Sequence, residues 1–291
     1  MEIVRINEDR CTLCGLCISV CPRRILEERD EAVTVTDQTQ CNLCGHCKAI
    51  CPEDAPQLSS LNTEEFQPVP RKEDLPQAEQ LMALFRSRRS IRIYQNEAVE
   101  KQKLERIIEA GRFAPTGGNR QPLQYVVLHS AERIQTIRNM AIDALANLAK
   151  KIESAIEKVR EDGEPLAESY RLIQIYVPLW REMAELQRHG IDRLFFHAPA
   201  VIICHFSPLE SATPEADPGL SAMQMILMAE ALGLGTCFCG FLVFATKESP
   251  ELRKALQIPK DHRVPFSFMV GYPDVTFSRL VSRKAARVLW L

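Results

Sequence analysis

Long apolar runs are missing from this sequence. Residues 198–206 form the best of them and reach about half of the roughly 18 residues a membrane-spanning helix requires. No membrane partner is therefore expected. An excess of either charge is also missing. The net charge is −2 at pH 7, which gives no basic field for neutralising phosphates and argues against a nucleic-acid partner. The first five residues, Met-Glu-Ile-Val-Arg, lack the shape of a secretory signal, so a cytoplasmic location is expected. No Gly-x-Gly-x-x-Gly run follows a strand pattern, so no dedicated dinucleotide module is expected. Cysteine is nearly absent from most of the chain: only Cys204, Cys237 and Cys239 lie beyond residue 51.

What is present is ordinary for a folded protein. Apolar residues make up 46% and charged residues 25% of 291 residues, which rules out wholesale disorder and suits one large domain or two. The other eight cysteines crowd into residues 11–51. In a reducing compartment such a cluster points to metal rather than to disulfides. Cys11, Cys14, Cys17 and Cys21-Pro22 recur 30 residues later as Cys41, Cys44, Cys47 and Cys51-Pro52. All spacings match, so the segment is an internal duplication. Zinc ribbons instead bring two Cys-x2-Cys pairs separated by a longer loop.

Residues 1–60 resemble the two-cluster bacterial ferredoxins, whose signature is this run. The resemblance implies two 4Fe-4S clusters, one held by Cys11, Cys14, Cys17 and Cys51, the other by Cys41, Cys44, Cys47 and Cys21. The spacing has a physical sense. Three thiolates at two-residue gaps wrap one face of a cubane, while the cysteine before proline turns toward the other cluster. Gly15 and Gly45 fill equivalent slots, where glycine permits positive φ and close approach of the backbone. His46 falls between ligand positions and reads as a surface residue. Such a small module has little core of its own, so the clusters supply much of its stability.

Residues 61–78 read as a linker, with Pro68, Pro70 and Pro76 among charged and amide residues. The sequence leaves open an extended tether or an ordered arm. From residue 79 to 291 the pattern is α+β, one sheet covered by many helices. Helices are expected from Glu79, with Leu81, Met82, Leu84 and Phe85 on one face, and over residues 101–111, 131–161 and 221–232. Residues 165–196 also look helical, with breaks near Pro178 and Gly190. Strands are expected over 124–129, 198–206 and 266–270.

Four motifs occur in order: Arg-Arg-Ser-Ile-Arg at 88–92, Pro-Thr-Gly-Gly-Asn-Arg-Gln-Pro at 115–122, Gly-Leu-Gly-Thr-Cys at 233–237, and Gly-Tyr-Pro at 271–273 followed by Arg279 and Arg283. Together they resemble the FMN-dependent nitroreductase family over residues 80–291. The resemblance implies a homodimer with FMN in the subunit interface and a nitroreductase-like sheet preceded by the small ferredoxin-like domain.

It also implies site residues. Arg88 and Ser90 match phosphate and ribityl contacts, with Arg89 an additional contact. Arg283 matches a C-terminal phosphate contact, and Arg92 a cation near the flavin N1–O2 edge. Guanidinium forks suit a dianionic phosphate. Pro115, Asn119 and Gln121 belong to the loop along the ring edge and ribityl chain. Cys237 and Gly240 belong to the turn under the flavin. No protein residue is expected to act as a separate acid or base, because the flavin carries the chemistry. Residues 163–197, with Tyr170, Tyr176, Trp180, Arg181, His189, Phe195 and Phe196, form the region that varies within the family and shapes the substrate side. His197 and the methionines 223, 225 and 228 read as structural. Cys237 reads as packing and Cys204 as core. Cys239 is the less expected cysteine.

Three readings of function follow. In the first, electrons enter through the clusters, with an external ferredoxin or flavodoxin as partner, and reach a small organic acceptor: a nitroaromatic, a quinone or an activated alkene. In the second, NAD(P)H is the donor and electrons leave through the clusters. In the third, the chain is a non-catalytic electron-transfer subunit.

Overall fold

The computed structural model describes residues 2–162 and 165–291. The chain divides into two compact units. One comprises Met1–Pro76 with Gly117–Arg120, the other Gln77–Thr116 with Gln121–Leu291.

In the first unit, β1 (Val4–Ile6) pairs antiparallel with β4 (Pro56–Leu58), which closes the two ends of the segment. The Gln38 amide fastens β1 from the side. Its Oε1 accepts from the Ile3 and Val4 N–H groups at 2.9 and 2.8 Å, and its Nε2 donates to the Val4 carbonyl at 2.7 Å. Strands β2 (Leu26–Arg29) and β3 (Ala32–Val35) form a hairpin. Asp30 and Glu31 make its turn with φ of 48° and 59°, the left-handed pair that suits strand twist. Two short helices, α1 (Leu16–Val20) and α2 (His46–Ile50), each start after a left-handed glycine.

The duplication extends to the backbone. Positive φ recurs at Leu13 and Leu43 (55° and 53°), Gly15 and Gly45 (71° and 74°), and Arg24 and Asp54 (52° and 51°). The core is slight: Ile6, Ile25, Leu26, Val33 and Ala55 pack with Cys17, and Cys11, Cys21, Cys41, Cys47 and Cys51 lie against them. Part of the segment read as linker is ordered within this unit. Asn62 caps a 3-10 turn at Thr63–Glu65, and Phe66 follows it onto the second repeat. A further 3-10 turn lies at Lys72–Asp74.

The second unit is built on one antiparallel sheet ordered β5-β6-β8-β7, where β5 is Gln124–Leu128, β6 Ala200–Phe206, β7 Gly235–Phe238 and β8 Arg263–Gly271. Every residue of β6 is buried, because helices cover both faces. Ala200, Ile202 and Cys204 point to the face covered by α4 (Lys101–Arg112) and α8 (Asp217–Ala231). Val201 and Ile203 point to the face covered by α5 (Ala131–Asp162), α7 (Val177–Arg188) and α9 (Gly240–Glu248). A strand buried on both sides reads as a continuous apolar run rather than an alternation. Helices α3 (Ala78–Ser87), α6 (Glu168–Ile173) and α10 (Pro250–Ala255) complete the unit.

Several expectations change in detail. The break expected near Pro178 falls just before it, and Pro178 itself sits in the first turn of α7, where its missing N–H costs nothing. The irregularity is a 3-10 turn at Gln174–Tyr176. Gly163, the expected start of the variable stretch, lies outside the described residues. The α3 face formed by Leu81, Met82 and Phe85 is exposed rather than packed into this chain's core. The stretch after Gly233 is not only a turn: residues 235–238 form the edge strand β7, with Gly271 opposite Gly235. Residues 274–291 contain no helix or strand.

Candidate functional site

The first unit holds two cysteine-lined cavities. One is lined by Cys11, Cys14, Cys17 and Cys51. The other is lined by Cys21, Cys41, Cys44 and Cys47. Each takes three cysteines from one repeat and the cysteine before proline from the other, the two sets expected from the sequence. Among the described residues, no group of three or more His, Cys, Asp or Glu side chains is placed to hold a single metal ion. Four thiols lining each cavity, with the spacing of the ferredoxin run, suit a cluster better than one ion. The Ala55 N–H donates to Cys51 Sγ at 3.3 Å, a bond of the type that stabilises cluster sulfur. Burial first, then neighbouring cysteines, pushes the Cys47 thiol up to about 11, and burial raises that of Cys17. Forming thiolates there requires a cation, which iron would supply. The residues fit an iron–sulfur group.

In the second unit the candidate site grows from the edge strand β7. The chain leaves α3 at Ser87 and runs extended beside β7. Ser90 bridges Thr236 in parallel, and the Ile91 N–H donates to the Thr236 carbonyl at 2.9 Å. Extended backbone alternates its side chains. Ile91 is buried over Gly235, while Arg88, Ser90 and Arg92 act together on Cys237. Burial raises the Cys237 thiol, opposed by Arg92, the Ser90 side chain and Arg88. Glu230, at the end of α8, lies in the same field. Its carboxyl is raised by burial and held back by Arg88, the Ser87 side chain and Arg89. Tyr94 continues the alternation. Its hydroxyl donates to the Ile91 carbonyl at 2.6 Å, and burial raises its pKa. Two guanidinium groups and an exposed hydroxyl in one row have the chemistry to hold a phosphate-bearing ligand.

The structure groups the other expected residues unevenly. Arg89 turns back on its own chain and donates to the Arg86 and Arg88 carbonyls at 2.7 and 2.8 Å, with its guanidinium carbon 5.9 Å from the Phe277 ring. Pro115 is exposed, and the Gln121 N–H donates to Thr116 Oγ1 at 3.0 Å. Asn119, at φ 57°, belongs to the first unit, where its Nδ2 donates to the Asn42 and Leu43 carbonyls, each at 3.0 Å. Gly240 is exposed at the start of α9. Arg283 lies in the exposed C-terminal stretch, donating to the Ser282 carbonyl at 3.1 Å. Cys239 is buried and pushed up to about 12 by that burial, and Cys204 is buried mid-strand.

Residues beyond the expected FMN contacts also shape it, among them Phe196 of the stretch expected on the substrate side. Phe196 stands beside Arg92 at 6.0 Å. It sits at φ 54°, followed by His197 at 57°. Asp192, 4% exposed, holds this loop. Its carboxylate accepts from the Leu194, Phe195 and His197 N–H groups at 2.9, 2.8 and 3.1 Å, and Arg138 lies 3.5 Å away. Tyr94 was legible in principle from its place two residues beyond Arg92. Nothing in the sequence marks Asp192 or Glu230, whose roles arise from packing.

Comparison with known proteins bears on the family and the fold. The sequence matches the nitroreductase family over residues 85–272 and a 4Fe-4S binding domain over residues 4–27. A 4-nitrobenzoate reductase of Nocardioides sp. (strain LMS-CY) is 25% identical over 212 residues, spanning 69% of this chain and 83% of that protein. A nitrobenzene nitroreductase of Ectopseudomonas oleovorans is 24% identical over 200 residues, spanning 66% and 86%. A crystal structure of a nitroreductase with bound FMN from Desulfitobacterium hafniense DCB-2 superimposes with a TM-score of 0.50 at 24% identity, covering 72% of this chain and 97% of that one. The α+β fold, the ordered motifs and the extent of the family match lead to one assignment: the chain belongs to the nitroreductase family of oxidoreductases, with a 4Fe-4S binding segment preceding the family domain.

Proposed function

We propose that this chain is an FMN-dependent oxidoreductase that takes up electrons through two 4Fe-4S clusters and reduces a small organic acceptor of the nitroaromatic, quinone or activated-alkene class. The observation carrying this reading is the presence, on one chain, of two four-cysteine cavities and a row of Arg88, Ser90 and Arg92 beside β7. The solved nitroreductase from Desulfitobacterium hafniense binds FMN, and two relatives act on nitro compounds by name. Bound FMN would supply the conversion between one-electron and two-electron chemistry. Arg88 and Ser90 would hold its phosphate and ribityl chain, and Arg92 would place a positive charge against the pyrimidine edge, favouring added electron density. Burial keeps Cys237 a neutral thiol at neutral pH, so it serves as a wall rather than as a nucleophile.

The reading includes a homodimer in the cytoplasm. The exposed Leu81, Met82 and Phe85 of α3, with Val288, Leu289 and Trp290 near the C-terminus, provide apolar surface for a second copy to cover. No described helix is long and apolar enough to cross a membrane.

An anaerobic spectroscopic titration tests the direction of flow. The flavin band and the broad iron–sulfur absorbance are followed during separate additions of NADH, NADPH and chemically reduced ferredoxin. Bleaching of the flavin by reduced ferredoxin alone is the expected result. Bleaching of flavin by NAD(P)H, followed by the clusters, would reverse the assignment and make NAD(P)H the donor.

A further inference from the structure

The two cysteine repeats share spacing and backbone conformation but not cover. Gly15 and Gly45 have nearly the same φ, 71° and 74°. A Cβ placed on Gly15 would meet nothing within 4 Å, whereas one on Gly45 would lie 3.2 Å from two atoms of the Phe66 ring and 3.7 Å from Leu61. Gly45 is buried and Gly15 only half-buried; Cys14 is exposed and its counterpart Cys44 half-buried. Gly45 and Cys44 both line the second cavity. The cover therefore comes from residues 61–66, a segment outside the duplicated motifs.

A second difference lies beneath the same ring. Ile18 of the first repeat is replaced by Lys48 in the second. Lys48 is buried, pairs with Asp54, donates to the Pro56 carbonyl at 3.4 Å, and places its ammonium 5.5 Å from the Phe66 ring centroid. A lone cation would favour reduction of a nearby cluster. This one is paired with a carboxylate that Arg10 also approaches at 3.5 Å, so its outward field is small compared with that of an unpaired charge. Asn119 covers the repeat elsewhere, on the Asn42 and Leu43 carbonyls.

We propose that Phe66, with Leu61, roofs the Cys21–Cys41–Cys44–Cys47 site and makes its cluster the harder of the two to reduce. This rests on the two-cluster reading above. A cluster gains one electron from an external one-electron reductant without a proton, and its net negative charge rises by one. The more charged form loses more on removal from water, so apolar cover lowers the reduction potential. The Cys11–Cys14–Cys17–Cys51 site keeps its solvent contact at Cys14 and accepts an electron first.

The test is an anaerobic potentiometric titration of the reconstituted full-length protein, read by electron paramagnetic resonance alongside an iron count. The wild type is expected to bind eight irons and to titrate in two waves. Phe66→Ala raises the lower wave toward the upper one and leaves the upper wave in place; Phe66→Leu preserves most of the separation. Leu61→Ala, a smaller loss from the same roof, shifts the lower wave by a lesser amount and replaces Phe66→Ala if that variant does not fold. Eight irons with a single wave, or a lower wave unmoved by losing the roof, would overturn the role of Phe66. A count of four irons would instead overturn the two-cluster reading, and the proposal with it.

Discussion

The guanidinium carbon of Arg92 lies 6.0 Å from the centroid of the Phe196 ring, and Phe196 is held there by a loop with two consecutive left-handed residues. Two non-glycine residues in that conformation are costly unless the surroundings fix them. The Asp192 carboxylate does so through three backbone N–H groups. Asp192→Ala leaves those amides and Arg138 without their acceptor and is expected to cost about 3 kcal/mol, read as a lower midpoint in urea. Phe196→Ala leaves the loop intact and removes only the ring face. It should weaken FMN binding by about five-fold, equivalent to roughly 1 kcal/mol for a cation–π contact, with little change in stability. Unchanged FMN affinity in Phe196→Ala would remove this ring from the positioning of Arg92.

Gly235 links the core to the same row of arginines. A Cβ there would lie 2.5 and 2.8 Å from Ile91 Cγ1 and Cβ and 3.0 Å from Pro273. Ile91 is the buried residue between Ser90 and Arg92, so it has no free direction of retreat. Gly235→Ala should push the extended segment off β7, cost about 2 kcal/mol as overpacking does, and weaken FMN binding in parallel. Measuring thermal stability and flavin release on the same preparation checks the coupling; loss of one without the other would contradict it.

The extent to which this site was legible depends on how local each signal is. The cysteine spacing anticipates both four-cysteine cavities, because ligands of one cluster lie close together along the chain. The residues at 88, 90 and 92 were legible as a set because an extended segment puts them on one side, and that alternation points Arg89 the other way. Arg89 instead binds the carbonyls at the end of α3. The contacts that Asn119 and Phe66 make were not legible. Each acts on the second cysteine repeat from a distant part of the chain, and neither periodicity nor composition encodes such a contact. The strand at 200–206 was visible as an apolar run, whereas β7 was masked by the Gly-Leu-Gly turn that introduces it.

The three cysteines of the second unit should be chemically silent. Burial pushes Cys239 up to about 12 and raises Cys237 and Cys204 as well. At about pH 8 their thiolate fractions are small, and thiolate is the reacting form. Treating the intact protein with iodoacetamide should leave all three unlabelled by mass spectrometry, while denaturant exposes them to full labelling. Labelling of Cys239 in the folded protein would give that residue the redox character its burial argues against.

A pair of histidines makes stability depend on pH in a defined direction. His205 Nδ1 and His262 Nδ1 are 2.9 Å apart, and Arg253 donates to the His262 carbonyl at 2.7 Å. A hydrogen bond between two imidazoles needs one N–H and one lone pair, so protonating both rings destroys it. Burial, then His262 and Arg253, lowers the His205 pKa below its ordinary 6.5. The unfolded chain therefore takes up a proton at this residue before the folded chain does, and stability rises with pH across that window. The contribution is present above about pH 6.5 and is lost as pH falls through the lower folded value. His205→Phe removes the titrating group from a buried position. Thermal midpoints from about pH 7.5 to 5.5 should therefore fall less steeply in the variant than in the wild type. Parallel slopes would show that His205 does not titrate with folding and that the acid sensitivity arises elsewhere.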